Sequence, residues 1–438
     1  MAGEGRCPSG VTAHDGRHYT LVCSLCGCRQ ADDGLVLDCP EDHPPALLTT
    51  DYANPRFTPD PGRTGLFRYH EWLPVVRAPK DAGRVAVYRS RGLAGALGLP
   101  ELWIAFNGYW PERGARLETG TFKELEAHTV LGRLPDRELV LTVASSGNTG
   151  AAFAWTCSQQ RVPCLVVVPG KGLHRLRFPA PLDPCVTLVV IDDGEYPDAI
   201  ELAASICRTP PFQAEGGVKN VGRRDGLAAV LLAAYEEMSC LPSHYFQAVG
   251  SGTGSIAVLE AARRLSAAAG GLALPRLMLC QNLPFTPVHD AWRMGADALD
   301  HGFREDYREA VAKVHADELT NWAPPYGIRG GLYDALRESA GDVLVADNAS
   351  VLVARDMFLK LEGIDIEPAA GVAVACLRDA VAQGKVDRDS VVLLNITGGG
   401  RRRLAQDRPL VAARPRRHLE AAALTEDGVA ERIAARCT

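Results

Sequence analysis

The chain has 438 residues, 47% apolar and 23% charged, which is enough for two or three domains with a large buried core and no need of disulfide staples. Its net charge of −6 argues against general nucleic-acid binding, so any anionic ligand must be met by local cationic side chains. No apolar run approaches the ~18 residues of a membrane helix, and the first residues lack the apolar core of a secretion signal. Most of the 13 cysteines stand singly in apolar runs, so the sequence reads as a cytoplasmic multidomain protein with reduced thiols.

Residues 1–50 read as a small cysteine-rich extension. Cys23-Ser-Leu-Cys26 is a CxxC pair, followed by Cys39 and His43. Three thiols and an imidazole suit a tetrahedral zinc, while a ribbon-like extension that keeps its cysteines without metal is the alternative. No βαβ pattern surrounds the pair, which argues against a redox motif. Residues 51–83 are rich in proline and aromatics without a period, and predict an extended arm across a domain surface.

From residue 84 to about 400, apolar β-branched runs alternate with helical stretches. Strands are predicted at 139–143, 164–168, 186–191, 245–249, 277–280, 343–346 and 391–396, and helices at 151–159, 226–238, 255–269 and 370–383. This alternation predicts an α/β fold of parallel sheets covered on both faces. The length suggests two such sheets rather than one. The basic residues 401–438 are expected to form a solvated surface tail.

Four segments offer chemistry. Lys123 follows Thr119-Gly-Thr-Phe at a predicted helix start, where Glu124 and Glu126 suit the helix dipole and a lysine opposes it. Burial there would favour the neutral, nucleophilic amine, although a first-turn lysine taken alone is more often solvated. Ser145-Ser146-Gly147-Asn148-Thr149 sits between a strand and a helix; its donors suit a carboxylate, or simply cap the helix. Gly250-Ser251-Gly252-Thr253-Gly254 repeats that arrangement. Without the third glycine of a dinucleotide fingerprint it suits a single phosphate better than a pyrophosphate, a plain turn being the alternative. Asn395-Ile-Thr397-Gly-Gly-Gly400 follows the last strand. Lys219, Arg223 and Arg224, with Arg175 and Arg177 in a second cationic stretch, either recognise an anion or decorate the surface.

Taken in this order, the segments resemble the fold-type II pyridoxal-phosphate enzymes, the tryptophan synthase β-like family, over roughly residues 84–400. The resemblance implies two three-layer α/β/α subdomains, the smaller over about 130–225. It implies Lys123 as the Schiff-base lysine, Asn148 at the cofactor hydroxyl, Gly250 to Gly254 around its phosphate and Thr397 at the pyridine nitrogen. It also implies Thr119, Ser145, Ser146, Gly147 and Thr149 as substrate-binding residues. The stretch Glu362-Gly-Ile-Asp-Ile-Glu-Pro368 and the cysteine-bearing extension are similar to the threonine synthase branch. Within that branch, residues 216–226, 281–285 and 324–334 are similar to stretches of cysteate synthases. The implied reaction is β-replacement on an amino acid with a phosphate leaving group, O-phospho-L-serine plus sulfite, in a homodimer or larger assembly. Lys219, Arg223 and Arg224 would then meet the anions, with Arg175 and Arg177 behind them. Threonine synthase (O-phosphohomoserine and water), a Ser/Thr dehydratase and a non-catalytic α/β ligand-binding protein are the alternatives. Two departures from the family pattern, Lys123-Glu-Leu in place of Lys-Asp-Arg and Thr121 in place of serine, predict a reshaped pocket beside Lys123.

Overall fold

The structure is a computed structural model and describes residues 16–79, 82–145, 147–299, 304–425 and 428–435. The first fifteen residues of the expected extension and the last three of the expected tail lie outside the described residues.

Two sheets organise the chain. The larger has six strands in the order Asp342–Ala346, Arg276–Asn282, His244–Ala248, Val392–Ile396, Leu102–Phe106 and Ala86–Arg89. Neighbours are parallel except the last pair, which is antiparallel. His244–Ala248 and Val392–Ile396 are buried at every position, as continuous apolar strands in a sheet covered on both faces must be. Successive side chains serve opposite cores: Leu393 packs with the helices Val221–Met238 and Thr253–Ala268, and Leu394 with Asn348–Glu362 and Pro368–Ala382.

The smaller sheet is wholly parallel, in the order Phe212–Ala214, Val140–Ala144, Cys164–Pro169, Val186–Ile191 and Arg417–Leu419. Lys123–Arg133 and Asn148–Gln160 cover one face; Tyr196–Ile206 and Val429–Ala434 cover the other. Both subdomains are therefore α/β/α layers. The basic tail is largely exposed, as expected of a solvated segment, but it is built into the fold. Arg401–Asp407 is a helix, and Arg417, His418 and Leu419 pair in register with Val189, Val190 and Ile191. An edge strand is held by its backbone and tolerates charged side chains, so its basic composition does not reveal it.

The extension forms an antiparallel sheet of Tyr19–Cys23, Arg29–Gln30 and Leu48–Tyr52. Thr50 and Tyr52 hydroxyls each donate to Asp225 at 2.6 Å, and Arg133 donates twice to the Asp32 carboxylate at 2.8 Å. Arg68 and Tyr69 of the arm reach Glu236. Extension and arm thus grip both ends of the Val221–Met238 helix, whose first turn carries Arg223. No helix among the described residues is long and apolar enough to cross a membrane.

Candidate active site

In open α/β sheets ligands collect beyond the carboxyl ends of the strands, where loops lead into helix N-termini. Val140–Ala144, His244–Ala248 and Val392–Ile396 each deliver one of the loops singled out above. The Lys123 segment is tied to the last of these. Phe122 N–H donates to the Thr397 carbonyl at 2.9 Å, Gly399 N–H donates to Gly120 at 3.0 Å, and Thr121 bridges Gly398.

The result is a cavity of about 130 Å³ lined by Thr121, Lys123, Asn148, Thr149, the whole Gly250 to Gly254 loop and Thr397. Tyr196, Arg223, Gln247, Glu318 and Glu367 also stand in its wall. It adjoins an open cleft of about 1020 Å³, with which it shares Tyr196, Glu318, Thr320 and Glu367. Arg175, Arg177 and Arg401 line that cleft.

Lys123 opens the Lys123–Arg133 helix, and its Nζ lies 3.4 Å from Glu126. Burial pushes its pKa below the ordinary lysine range; Glu126 opposes the shift and Arg223 adds to it. The neutral amine is thereby made accessible. The glycine loop is built for backbone contact. Gly252 has φ +71°, and a Cβ there would lie 2.4 Å from Leu332; at Gly250 and Gly254 a Cβ would meet Leu319 O at 2.9 Å and the Gln247 amide at 3.0 Å. The loop opens the 16-residue helix Thr253–Ala268, whose free amides and dipole suit a phosphate. Thr121 Oγ1 is buried in the same wall with no hydrogen-bond partner among the described residues, an atom that a ligand would satisfy. A depressed lysine, a backbone phosphate cradle and the unpartnered Thr121 hydroxyl together fit pyridoxal phosphate.

The structure does not bring every predicted substrate residue to this cavity. Thr119 donates through its amide and hydroxyl to Glu124 at 2.8 and 2.9 Å. Ser145 Oγ accepts from the amides of Gly147 and Gly150 at 3.0 and 2.7 Å. Both hydroxyls are buried and serve the chain's own turns. Gly147 lies under Arg175, 2.6 Å from Cδ to where a Cβ would stand. Ser146 lies outside the described residues.

Of the cationic triplet, only Arg223 lines this cavity. Lys219 pairs with Asp38 at 2.6 Å, partly exposed, and Arg224 is buried against Glu260 and the Leu48 and Val218 carbonyls, at the joint with the extension. Adjacent helical residues point about 100° apart, so Arg223 and Arg224 cannot share one target. Arg223 does reach the cavity, but Glu215 takes its guanidinium in a fork and Glu126 lies 3.4 Å away. Burial would lower its pKa, yet those two carboxylates raise it and leave it a neutralised, positioning cation.

Several residues at the site escaped the sequence reading, Glu318, Glu367 and Arg401 among them. Glu318 accepts from the Ala369 amide at 2.8 Å, and burial followed by the neighbouring Glu367 charge pushes its carboxyl up to about 7. Arg401 donates to Glu367 and, at 3.4 Å, to Asn148 Oδ1. Its place directly after Gly398-Gly-Gly400 was a usable signal that it opens a helix at the site; Glu318 lies in the short 3-10 turn Asp317–Leu319, in a polar stretch of sequence that gives none.

Residues 82–398 match the pyridoxal-phosphate dependent enzyme family. The cysteate synthase of Methanospirillum hungatei is 42% identical over 399 residues, covering 91% of this chain and 93% of that relative. The cysteate synthase of Methanosphaerula palustris is 44% identical over 400 residues, covering 90% and 92%. Among solved structures, maize serine racemase superposes with a TM-score of 0.56 at 16% identity over 73% of this chain and 90% of that one, a likeness of fold. With the lysine, the glycine cradle and these matches in agreement, the chain belongs to the pyridoxal-phosphate dependent enzyme family.

Proposed function

We propose that this enzyme replaces the phosphate of O-phospho-L-serine with sulfite, yielding L-cysteate and phosphate. The observation that carries the reading is the meeting of four sequence-distant segments, at Lys123, Asn148, Gly250 to Gly254 and Thr397, in one cavity. The choice of donor and nucleophile follows the cysteate synthases to which the chain is similar over nine-tenths of its length.

When bound, pyridoxal phosphate supplies an electron sink for charge developing at the substrate α-carbon. Lys123 would hold it covalently, the Gly250 to Gly254 loop its phosphate, Asn148 its hydroxyl and Thr397 its ring nitrogen. Lys123 Nζ, whose burial favours the neutral amine, would then serve as the base for the α-proton. The Thr397 hydroxyl carries no charge and does not hold a ring nitrogen protonated, which favours prompt loss of a β-substituent. Thr149 offers its hydroxyl and amide to the substrate carboxylate. Glu318 keeps its proton up to about pH 7, so the wall it shares with Glu367 is less repulsive to an anion. Arg177, together with Arg175 and Arg401 as they stand paired with Asp317 and Glu367, lines the cleft through which sulfite would enter and phosphate leave. We further infer that the enzyme works in the cytoplasm as a homodimer or larger homo-oligomer, a reading supported for the compartment by its free buried cysteines.

The test is incubation of purified holoenzyme with O-phospho-L-serine and sulfite, scored by mass spectrometry of the amino-acid product and by phosphate release. L-Cysteate formed in step with phosphate supports the reading. Threonine formed from O-phosphohomoserine and water, with no cysteate from the first mixture, overturns it.

A further inference from the structure

Outside the active site, the folded extension gathers Cys23, Cys26, Cys39 and His43 so that one ligand atom from each lies within 4.8 Å of the others. Cys26 Sγ and Cys39 Sγ are 3.7 Å apart, and Cys23 Sγ and His43 Nε2 are 3.4 Å apart. A tetrahedron with Zn–S and Zn–N bonds of ordinary length has S···S edges of about 3.8 Å and S···N edges of about 3.5 Å. We propose that these four side chains form a closed, structural zinc site.

The surroundings are those of such a site. Cys23 ends the Tyr19–Cys23 strand, and the chain turns through Gly27 at φ +72°, closed by Gly27 N–H to Cys23 O at 3.0 Å and Cys23 N–H to Cys28 O at 2.9 Å. Within the turn the Leu25 and Cys28 amides each point at a ligand sulfur, Cys23 and Cys26 respectively, at 3.4 Å, a direction that stabilises thiolate charge. His43 Nδ1 lies 2.7 Å from the Pro44 carbonyl; donating there fixes the tautomer and leaves Nε2 for the metal. Four protein ligands leave no open position, so the site is structural and not catalytic.

Its place in the fold gives it work. Cys39 and His43 stand in the irregular connection between Arg29–Gln30 and Leu48–Tyr52, and the metal would clamp that connection to the Cys23–Cys26 turn. On one side Ser24 Oγ donates to the Arg329 carbonyl at 3.1 Å; on the other Asp38 holds Lys219 just before the helix that carries Arg223. The zinc therefore fixes two joints between the extension and the catalytic core.

The test uses the full-length holoenzyme, purified without chelator. The expected result is about one zinc per chain, with X-ray absorption giving three sulfurs and one nitrogen as its ligands. Cys26→Ser/Cys39→Ser should lose the metal and melt at lower temperature while keeping the visible absorption of the bound cofactor. Should that variant fail to fold, cobalt(II) added to the reduced, metal-stripped natural sequence decides: thiolate-to-cobalt absorption saturating at one equivalent supports the site. Holoenzyme without stoichiometric zinc and no such absorption on cobalt addition would overturn it, as would a metal bound by oxygen atoms in place of these sulfurs.

Discussion

Phe122 and Thr397 share a 2.9 Å backbone hydrogen bond, from the amide N–H before Lys123 to the carbonyl of the late threonine. The Phe122 ring also lies 3.0 Å from where a Cβ on Gly254 would stand, so the lysine segment, the glycine loop and the threonine loop meet at one joint. The amine, the phosphate cradle and the hydroxyl are thereby held at fixed separations, a preorganisation that positions the reacting groups before substrate arrives.

The glycine loop gives the first prediction. Gly252→Ala forces a left-handed conformation on an L-residue, at about 1–2 kcal/mol, and drives a methyl into Leu332. Cofactor affinity, titrated by visible absorption, should fall about tenfold or more, since each 1.4 kcal/mol is a factor of ten. Unchanged affinity would remove the loop from the phosphate site.

Glu318 predicts a pH dependence. Its carboxyl is held up to about 7, so it is largely neutral below that pH and adds a negative charge to the cavity wall above it. KM for the anionic donor should therefore rise as pH increases through 7, with kcat less affected. Glu318→Gln, neutral throughout, should flatten the rise. A KM profile identical in the two proteins would show that Glu318 does not face the substrate.

Arg223 separates positioning from substrate binding. Arg223→Leu leaves Glu126 and Glu215 buried without their cation, a loss of about 3–5 kcal/mol that thermal melts would register. It also removes a positive neighbour that lowers the Lys123 pKa, so the acid limb of the activity profile should move to higher pH. Arg223→Lys should partly restore both. A pure rise in KM, with an unmoved pH limb and unaltered melting, would make Arg223 a substrate ligand instead.

The sequence made the buried parallel strands and the lysine, asparagine and glycine loops legible because continuous apolar runs and glycine-rich turns are local signals. Val186–Ile191 is found at the predicted bounds. Leu102–Phe106 went unread. Ala86–Arg89, Phe212–Ala214 and Arg417–Leu419 lie at sheet edges, where pairing asks little of the side chains. The pairing of Arg223 with Glu215 and Glu126, and the raised carboxyl of Glu318, depend on contacts between segments far apart in sequence, which no spacing rule reports.

Asp32 and Arg133 test how the extension is fastened. Burial would raise the Asp32 pKa, but the Arg133 guanidinium overcomes it and holds the carboxyl below its ordinary range. The stabilisation is therefore complete above the unfolded-state value, about 3.9, and is lost as pH falls through the lower folded-state value. The natural protein should lose stability more steeply below about pH 4 than Asp32→Asn, which should itself be weaker at neutral pH by about 3–5 kcal/mol. Parallel melting curves of the two proteins across acid pH would contradict the pairing.

The most direct test of the account is to find where the cofactor is attached. Borohydride reduction of the holoenzyme, followed by digestion and peptide mass spectrometry, should place the pyridoxyl group on Lys123, and Lys123→Ala should give no labelled peptide and lose the visible cofactor absorption. Labelling of Lys171, Lys219 or another lysine in its place, or a normally active Lys123→Ala protein, would contradict the assignment of this cavity as the active site.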